Sequence, residues 1–119
     1  MDIESFREYC LSKPYATEDM PFDETSLCFK VGLKIFAILD ISAGTSVNLK
    51  CNPDRSVELR SNYNGIIPGW HMNKKHWNSV YLDTDVNDIL IKELVDHSYD
   101  LVYDGLSQKI RNSLISIRL

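Results

Sequence analysis

The sequence has no long apolar run and few cysteines, and both shortages exclude broad classes of protein. No stretch approaches the roughly 20 apolar residues that a membrane-spanning helix needs, and the first residues lack the basic and apolar regions of a secretory signal. The 3 cysteines, Cys10, Cys28 and Cys51, form no CxxC motif, and their odd number argues against a disulfide framework. We therefore expect a cytoplasmic protein without a membrane partner, whose cysteines are buried, reduced thiols.

Motifs for catalysis and metal binding are also missing. We find no phosphate loop and no nucleophile with an adjacent base. His71 and His76 have no cysteine or carboxylate pair at zinc spacing nearby. Asp96, His97 and Ser98 are consecutive, so on a helix their side chains point in different directions and cannot form a triad among themselves. We predict that the protein is not an enzyme and uses no cofactor or metal ion.

What the chain does contain is a core and an uneven charge distribution. Its 119 residues fit one domain, 1–119, and the 44% hydrophobic content is enough for a stable core. The net charge of −4 is unfavourable for nucleic-acid binding, because phosphate neutralisation supplies most of the non-specific binding energy. However, residues 30–75 carry seven basic and three acidic side chains, whereas both flanking segments are acidic. A local basic patch is therefore available to an anionic partner.

Two helices are marked by their ends. Apolar residues at spacings of three and four predict a helix over residues 2–13, which Pro14 ends because it disfavours helical geometry in the residue before it. Asn52-Pro53-Asp54 combines a capping side chain, a proline at the first helical position and an acid near the positive end of the helix dipole. This second helix is predicted to run to about residue 62.

The longest predicted helix covers residues 85–104. Gly105 is placed to close it in left-handed geometry. The apolar stripe that we expect to be buried consists of Val86, Leu90, Leu94, His97 and Leu101. For His97 two roles remain open, that of a hydrogen-bonded core residue and that of a ligand. Ser107 offers a cap for a final short helix.

Four strands are predicted from alternation and turn signals. Residues 27–31 and 34–40 are apolar runs separated by Gly32-Leu33, the spacing of a tight antiparallel hairpin. The second run is apolar on both alternating faces, which predicts a central strand covered on both sides. Residues 46–51 place Lys50 outward. Asn73 is predicted to cap a short turn through Lys74-Lys75-His76, after which residues 78–82 should extend the sheet. The pattern predicts an α+β domain, an antiparallel sheet backed by helices.

The segment between the first helix and the first strand, residues 15–26, has no periodicity. It contains four acids, Glu18, Asp19, Asp23 and Glu24. We predict a surface connection there.

Several sequence blocks resemble the MmcQ/YjbR family and together span nearly the whole chain. They are Arg7-Glu8-Tyr9-Cys10-Leu11-Ser12, Ala16-Thr17-Glu18-Asp19, Phe29-Lys30-Val31-Gly32, Asn48-Leu49-Lys50-Cys51, His71-Met72-Asn73-Lys74-Lys75-His76-Trp77-Asn78 and Asp96-His97-Ser98-Tyr99. Leu33 stands where the family often has a second glycine, and Asn87 where a proline commonly opens the long helix. The resemblance implies a frataxin-like (CyaY-like) fold. It also implies DNA binding, because the family is described as DNA-binding proteins with a double-wing arrangement.

A nucleic-acid site follows from this resemblance and from the basic middle segment. The predicted binding residues are Lys30, Lys34, Lys50, Arg60, His71, Lys74, Lys75 and Trp77. The lysines and the arginine would contact phosphates, and His71 and Trp77 would stack or reach a groove. Two other interpretations remain open: the lysines keep a sheet face hydrated, or Lys74 and Lys75 lie over Trp70 or Trp77 as cation–π contacts.

The alternative function is a protein-interaction module. Frataxin-like proteins bind iron and protein partners through an acidic surface, and Glu18, Asp19, Asp23 and Glu24 stand close together here. Oxygen ligands on a loop would hold a metal only weakly, so we place a protein partner ahead of a metal. We expect a monomer that binds either DNA or another protein.

Overall fold

The computed structural model describes residues 1–69 and 72–118, and within them the chain folds into one antiparallel sheet with four helices. The helices are α1 (Ile3–Ser12), α2 (Pro53–Asn62), α3 (Asp88–Asp104) and α4 (Gln108–Arg118). The strands are β1 (Thr17–Asp19), β2 (Ser26–Val31), β3 (Lys34–Asp40), β4 (Ser46–Lys50), β5 (Ile66–Pro68) and β6 (Trp77–Tyr81). They lie side by side in the order β1-β2-β3-β4-β6-β5, and every neighbouring pair is antiparallel. The predicted α+β class is confirmed.

The predicted helix starts depend on capping side chains, and most of them are confirmed. Asn52 Oδ1 accepts hydrogen bonds from the backbone N–H groups of Asp54 and Arg55, so α2 begins as expected. The start of α3 was wrong by three residues, because Asn87 is the cap and accepts from the Leu90 N–H at 2.8 Å. An asparagine thus replaces the proline that is common in the family, and it caps the helix by itself.

The prediction for Gly105 was wrong. Its φ is −80°, in the right-handed region, and its N–H bonds to carbonyls of the last turn of α3. The chain needs no left-handed residue here because a second helix follows almost at once, with the Ser107 hydroxyl accepting from the Ile110 N–H at 3.2 Å.

The β2–β3 hairpin turns at Gly32-Leu33 with positive φ at both residues, 56° and 69°. Two left-handed residues in a two-residue loop define the type I′ turn, whose twist matches that of the strands. A Cβ on Gly32 would lie 2.7 Å from the Leu106 side chain, so any other residue would force Leu106 to move in addition to the strain of its positive φ. Leu33 is 88% exposed and carries the backbone strain of a branched residue in left-handed geometry.

The core lies between one face of the sheet and the helices α1 and α3. Strand residues such as Phe29, Leu39 and Val80 are buried in it, and α3 contacts the three strands β2, β3 and β4. The buried residues of α3 are Ile91, Leu94, Val95, Ser98, Tyr99 and Val102. The predicted stripe was therefore displaced by about one residue, because Leu90, His97 and Leu101 are only half-buried.

Two edge strands were missed by the sequence analysis. β1 lies in the segment predicted to be a surface connection and pairs with β2, and β5 pairs with β6. Each has three residues, too few for alternation to be visible in the sequence. The middle of β3 is buried on both faces, as its apolar run predicts, because the four residues from Phe36 to Leu39 are all buried, and α3 packs on one of these faces. No helix of the described segments is long and apolar enough to cross a membrane.

Candidate binding face

The face of the sheet that points away from α1 and α3 is called the open face here. Three rows of opposed residues cross it. In the first row Lys30 pairs with Ile35, and Lys50 pairs with Trp77. The second row is paired throughout and contains Cys28, Ile38, Asn48 and Ser79. In the third row Ser26 pairs with Asp40, and Ser46 pairs with Tyr81. The irregular register between Phe29 and Lys30 brings Ile35 opposite Lys30. The open face therefore has a basic row, a neutral row and an acidic row.

A cavity of about 870 Å³ occupies the middle of this face. Its floor is formed by Ile35, Ile38 and Asn48, and Ile38 is only 9% exposed although no helix lies above it. Phe22, from the segment between β1 and β2, forms one wall, and Met72 lines the cavity from the turn before β6. The volume falls in the range of roughly 300–1,000 Å³ that is typical of ligand sites.

Two aromatic side chains of β6 line the cavity. Trp77 and Tyr81 are four residues apart, so both point to the same face of the sheet. Phe22 stands opposite them with 69% of its surface exposed. Between Trp77 and Tyr81 lies Ser79, whose hydroxyl donates a hydrogen bond to Asn48 Oδ1 at 2.6 Å. The face thus combines exposed rings with a polar centre.

The charges at the two ends of the face have opposite sign. Lys50 is the direct cross-strand neighbour of Trp77, and Lys30 bonds to Asp19 at 3.1 Å. At the other end, hydrogen bonds from Thr25 hold the pKa of Asp23 below its usual value. The Ser42 hydroxyl does the same to the pKa of Asp40. Both carboxyl groups are ionised at neutral pH, which favours a ligand that is anionic at the lysine end only.

The basic–aromatic stretch before β6 forms a turn that fixes the position of Trp77. Asn73 Oδ1 accepts from the Lys75 N–H at 2.9 Å, and the Asn73 carbonyl accepts from the N–H groups of His76 and Trp77. The His76 carbonyl then accepts from the N–H of Cys51 at 2.8 Å. The turn therefore leads directly into β6. The predicted cap at Asn73 is confirmed.

Arg60 holds this turn from the helix side of the sheet. Its Nε donates to Asn78 Oδ1 at 2.7 Å, and its terminal nitrogen donates to the carbonyls of Lys74 and Trp77. A guanidinium with three such acceptors has a structural role. The structure therefore separates Arg60 from the other basic residues that the sequence analysis grouped with it.

The remaining predicted site residues are dispersed. Lys34 follows the hairpin turn, and Lys75 is exposed on the turn before β6. Lys74 Nζ donates to the Gly69 carbonyl at 3.3 Å. His71 lies outside the described residues. Of the eight predicted residues, Lys50 and Trp77 are direct cross-strand neighbours on the open face, and Lys30 lies on the same face two strands away.

The Asp96–Tyr99 segment of α3 binds α1 and the residues that follow it. This segment contains Asp96, His97 and Ser98, the three residue types of a catalytic triad. Asp96 Oδ1 accepts from the Tyr9 hydroxyl at 2.7 Å and from Lys13 Nζ at 2.9 Å. Burial and this bond to Asp96 raise the pKa of Tyr9 to about 12. The Tyr99 hydroxyl donates to the Pro14 carbonyl. These contacts attach the first helix to the longest one.

Of the two central residues of the same segment, Ser98 binds two strands and His97 binds the cap of α2. Ser98 Oγ accepts from the Lys50 N–H at 2.9 Å and donates to the Phe36 carbonyl at 2.6 Å. His97 Nε2 accepts from the Asn52 N–H at 3.1 Å. The core role of His97 is thus the one that the structure supports. Its neighbour Ser98 holds the end of β4, where Lys50 reaches the open face.

The acidic residues near β1 are engaged one by one and are not gathered into a site. Glu18 accepts a two-point contact from the Arg7 guanidinium, which lowers the pKa of the Glu18 carboxyl. Asp19 binds Lys30, and Asp23 caps its own turn. Across residues 1–69 and 72–118 no group of three His, Cys, Asp or Glu side chains is placed to hold a metal ion.

The antiparallel sheet and its four helices define an α+β domain. The family model described as YjbR matches residues 11–101. The chain belongs to the YjbR family. YjbR of Escherichia coli K12 is 32% identical over 98% of this chain and 100% of its own length. YbdF of Escherichia coli O157:H7 is 36% identical over 89% of this chain and 88% of its own length.

Solved structures agree with the fold. The crystal structure of the Deinococcus radiodurans protein DR2400, whose domain is described as DUF419, superposes with a TM-score of 0.87 at 38% identity and covers 95% of this chain and 87% of its own. A Pseudomonas syringae protein gives a TM-score of 0.75 at 28% identity, covering 86% of this chain and 99% of its own. None of these names states an activity.

Proposed function

We propose that this domain is a non-enzymatic DNA-binding protein that uses the basic row of its open face. One observation carries the proposal: Lys50 and Trp77 are direct cross-strand neighbours on a face that no described helix covers. A lysine contributes a point charge for a phosphate, and an adjacent indole offers a surface on which a base can stack. A lysine beside an indole can therefore contact both the phosphate and the base of a nucleotide.

The distribution of charge supports a local site in an acidic protein. Lys30 lies on the same face but is paired with Asp19, so the charges left for a phosphate are those of Lys50 and of Lys75, which is exposed on the turn that leads into Trp77. The exposed acids of α3, such as Glu93 and Asp100, lie beyond the other face of the sheet. The sheet therefore separates the acidic helix from the proposed site, which limits repulsion of the phosphates.

The test is the salt dependence of binding to labelled DNA, offered both as a duplex and as a single strand. Each phosphate that is neutralised contributes about −0.9 to the slope of log K against log salt on duplex DNA and about −0.7 on a single strand. The double variant Lys50→Ala, Lys75→Ala should bind more weakly, with a slope shallower by about 1.4–1.8. Its thermal unfolding should stay close to that of the parent protein.

The matched control is Lys109→Ala on α4, which removes an exposed lysine away from the open face. It is a better control than Lys92, whose ammonium lies 5.5 Å from the centre of the Tyr9 ring. The control should bind as the parent does. Absence of binding to both DNA forms at about 50 mM salt, or binding that is indifferent to the double variant, would refute the proposal.

A protein partner is the second candidate, and the wall of the cavity favours it. Phe22 is 69% exposed and Met72 and Ile35 line the same space, so part of the face is apolar. Exposed aromatic residues are typical anchors of protein interfaces. This candidate replaces the first if neither DNA form binds and Phe22→Ala weakens capture of a purified partner.

A further inference from the structure

We infer that the open face takes a single strand of nucleic acid, with unpaired bases in the cavity and the phosphates over the basic row. This inference rests on the proposed function and makes it more specific, because binding to a duplex would satisfy the proposal and contradict the inference. Three properties of the face favour a single strand as the ligand. They are the spacing of its aromatic rings, its buried floor, and the separation of its positive and negative charges to opposite ends.

The spacing of the rings requires bases that are not stacked on each other. Trp77 and Tyr81 are separated by four residues of extended strand, about 13 Å. Consecutive bases of a duplex are held about 3.4 Å apart, with their faces covered by their neighbours. Rings that are so far apart on one strand can each take a base only if the bases are splayed, which a single strand allows.

The floor of the cavity is much less exposed than its wall. From β2 to β6 the face spans three strand spacings, about 14 Å, and Phe22 rises on one side of it. Ile38 at the centre is nearly buried. A duplex presents its phosphates first and keeps its bases inside, so its outline does not fill this recess. An unpaired base is flat and can enter it edge first or face first.

The polar groups of the cavity can contact base edges. Asn48 Oδ1 accepts a hydrogen bond from the Ser79 hydroxyl. The amide nitrogen of Asn48 can therefore donate a hydrogen bond to a ligand. Asp40 and Asp23 line the far end of the cavity. Carboxylates attract the amino groups of bases and repel phosphates. The backbone of the nucleic-acid strand is therefore directed toward Lys50, and the bases toward the carboxylates.

The experiment compares three labelled probes of equal length at about 50 mM salt: a single strand, the duplex of the same sequence, and a strand without bases. We expect the single strand to bind about tenfold or more tighter than the other two, because stacking contributes about 1–3 kcal/mol per base. Tyr81→Ala should weaken binding of the single strand by about fivefold to a hundredfold and leave duplex binding nearly unchanged. Tyr81→Phe keeps the ring and should recover most of the affinity.

Phe22→Ala provides a second variant in case Tyr81→Ala unfolds, since its side chain is largely exposed and its loss should cost little stability. Duplex binding as tight as single-strand binding, or equal binding of the base-free strand, would overturn the inference and leave the proposed function standing. Single-strand binding that is unaffected in both aromatic variants would also overturn it. Absence of binding to all three probes would refute the proposed function itself.

Discussion

The Asp96–Tyr99 segment of α3 and the open face of the sheet contain the two groups of residues that most suggest a function. In the Asp96–Tyr99 segment, each residue makes a hydrogen bond to a strand, to α1 or to the ends of α1 and α2. On the open face, Trp77 and Tyr81 are anchored by their backbone in β6, while their rings line a cavity. The difference shows that the hydrogen-bond partners of the side chains, more than the residue types, distinguish a structural cluster from a candidate site.

The contrast also explains why both groups occur in one short chain. Ser98 binds the N–H of Lys50, the residue whose side chain lies beside Trp77 on the other side of the sheet. The polar contacts of α3 therefore hold the strand end that carries the proposed binding row. A change in the Asp96–Tyr99 segment should reduce stability, and a change on the open face should affect binding alone.

The largest expected effect is that of Phe36→Ala, on the helix side of the sheet. Phe36 is fully buried, and its ring meets the edge of Tyr99 at a centroid distance of 5.2 Å. Removing a buried phenyl group loses its transfer free energy and leaves a cavity, so we expect a loss of about 3–5 kcal/mol in the free energy of unfolding. Urea unfolding followed by circular dichroism measures it. A loss below about 1 kcal/mol would show that the core does not close around this ring.

The second prediction compares the loss of folding stability in Ser98→Ala, in the Asp96–Tyr99 segment, with the loss in Tyr81→Ala, on the open face. Without its hydroxyl, Ser98 leaves the Lys50 N–H and the Phe36 carbonyl unpaired in the interior, which should cost about 1–3 kcal/mol. Tyr81 is exposed at the edge of the cavity, and a single cross-strand contact contributes only about 0.2–1 kcal/mol. Unfolding midpoints in urea give both values. If Tyr81→Ala were the more damaging variant, the open face would be part of the folding core.

Elements with strong local signals were predictable from the sequence. The caps at Asn52 and Asn73 and the hairpin at Gly32-Leu33 depend on residues that are adjacent in the chain, and each was placed correctly. The buried face of α3 was misplaced because it depends on a tertiary contact, the reach of Ser98 to the strands, about which propensity and spacing carry no information. The start of α3 was misplaced although its signal is local, since Asn87 caps the helix through the Leu90 N–H three residues later.

The candidate site was predictable only in part, for the same reason. Alternation in β4 places Lys50 outward, and this holds. Nothing in the sequence indicates that Arg60 reaches across to Asn78, 18 residues later, and so leaves the basic group. Nor does it indicate that Phe22 forms a wall of the cavity, because the segment before β2 has no periodic pattern. The open face became visible only when the register of all the strands was known.

The smallest effect that we predict concerns pH and His97. Burial lowers the pKa of His97, the positive charge of Arg55 lowers it further, and Asp100 opposes them in part. The neutral ring is also the form that can accept from the Asn52 N–H through Nε2. The folded state thus prefers the uncharged imidazole.

The sign of the effect follows from proton linkage. A histidine in the unfolded chain titrates near pH 6.5, and the folded protein takes up this proton only at lower pH. Below about pH 6.5 the unfolded state therefore binds more protons, and stability falls as the pH decreases toward the pKa of the folded state. Urea midpoints at about pH 7.5 and 5.5 should show this loss in the parent protein and a smaller loss in His97→Gln, whose amide does not titrate. His76→Gln, which removes a histidine outside α3, is the control and should keep the parental dependence. An equal pH dependence in the parent and in His97→Gln would mean that the bond to Asn52 does not discriminate between the two protonation states, and that the Asp96–Tyr99 segment holds α2 by packing alone.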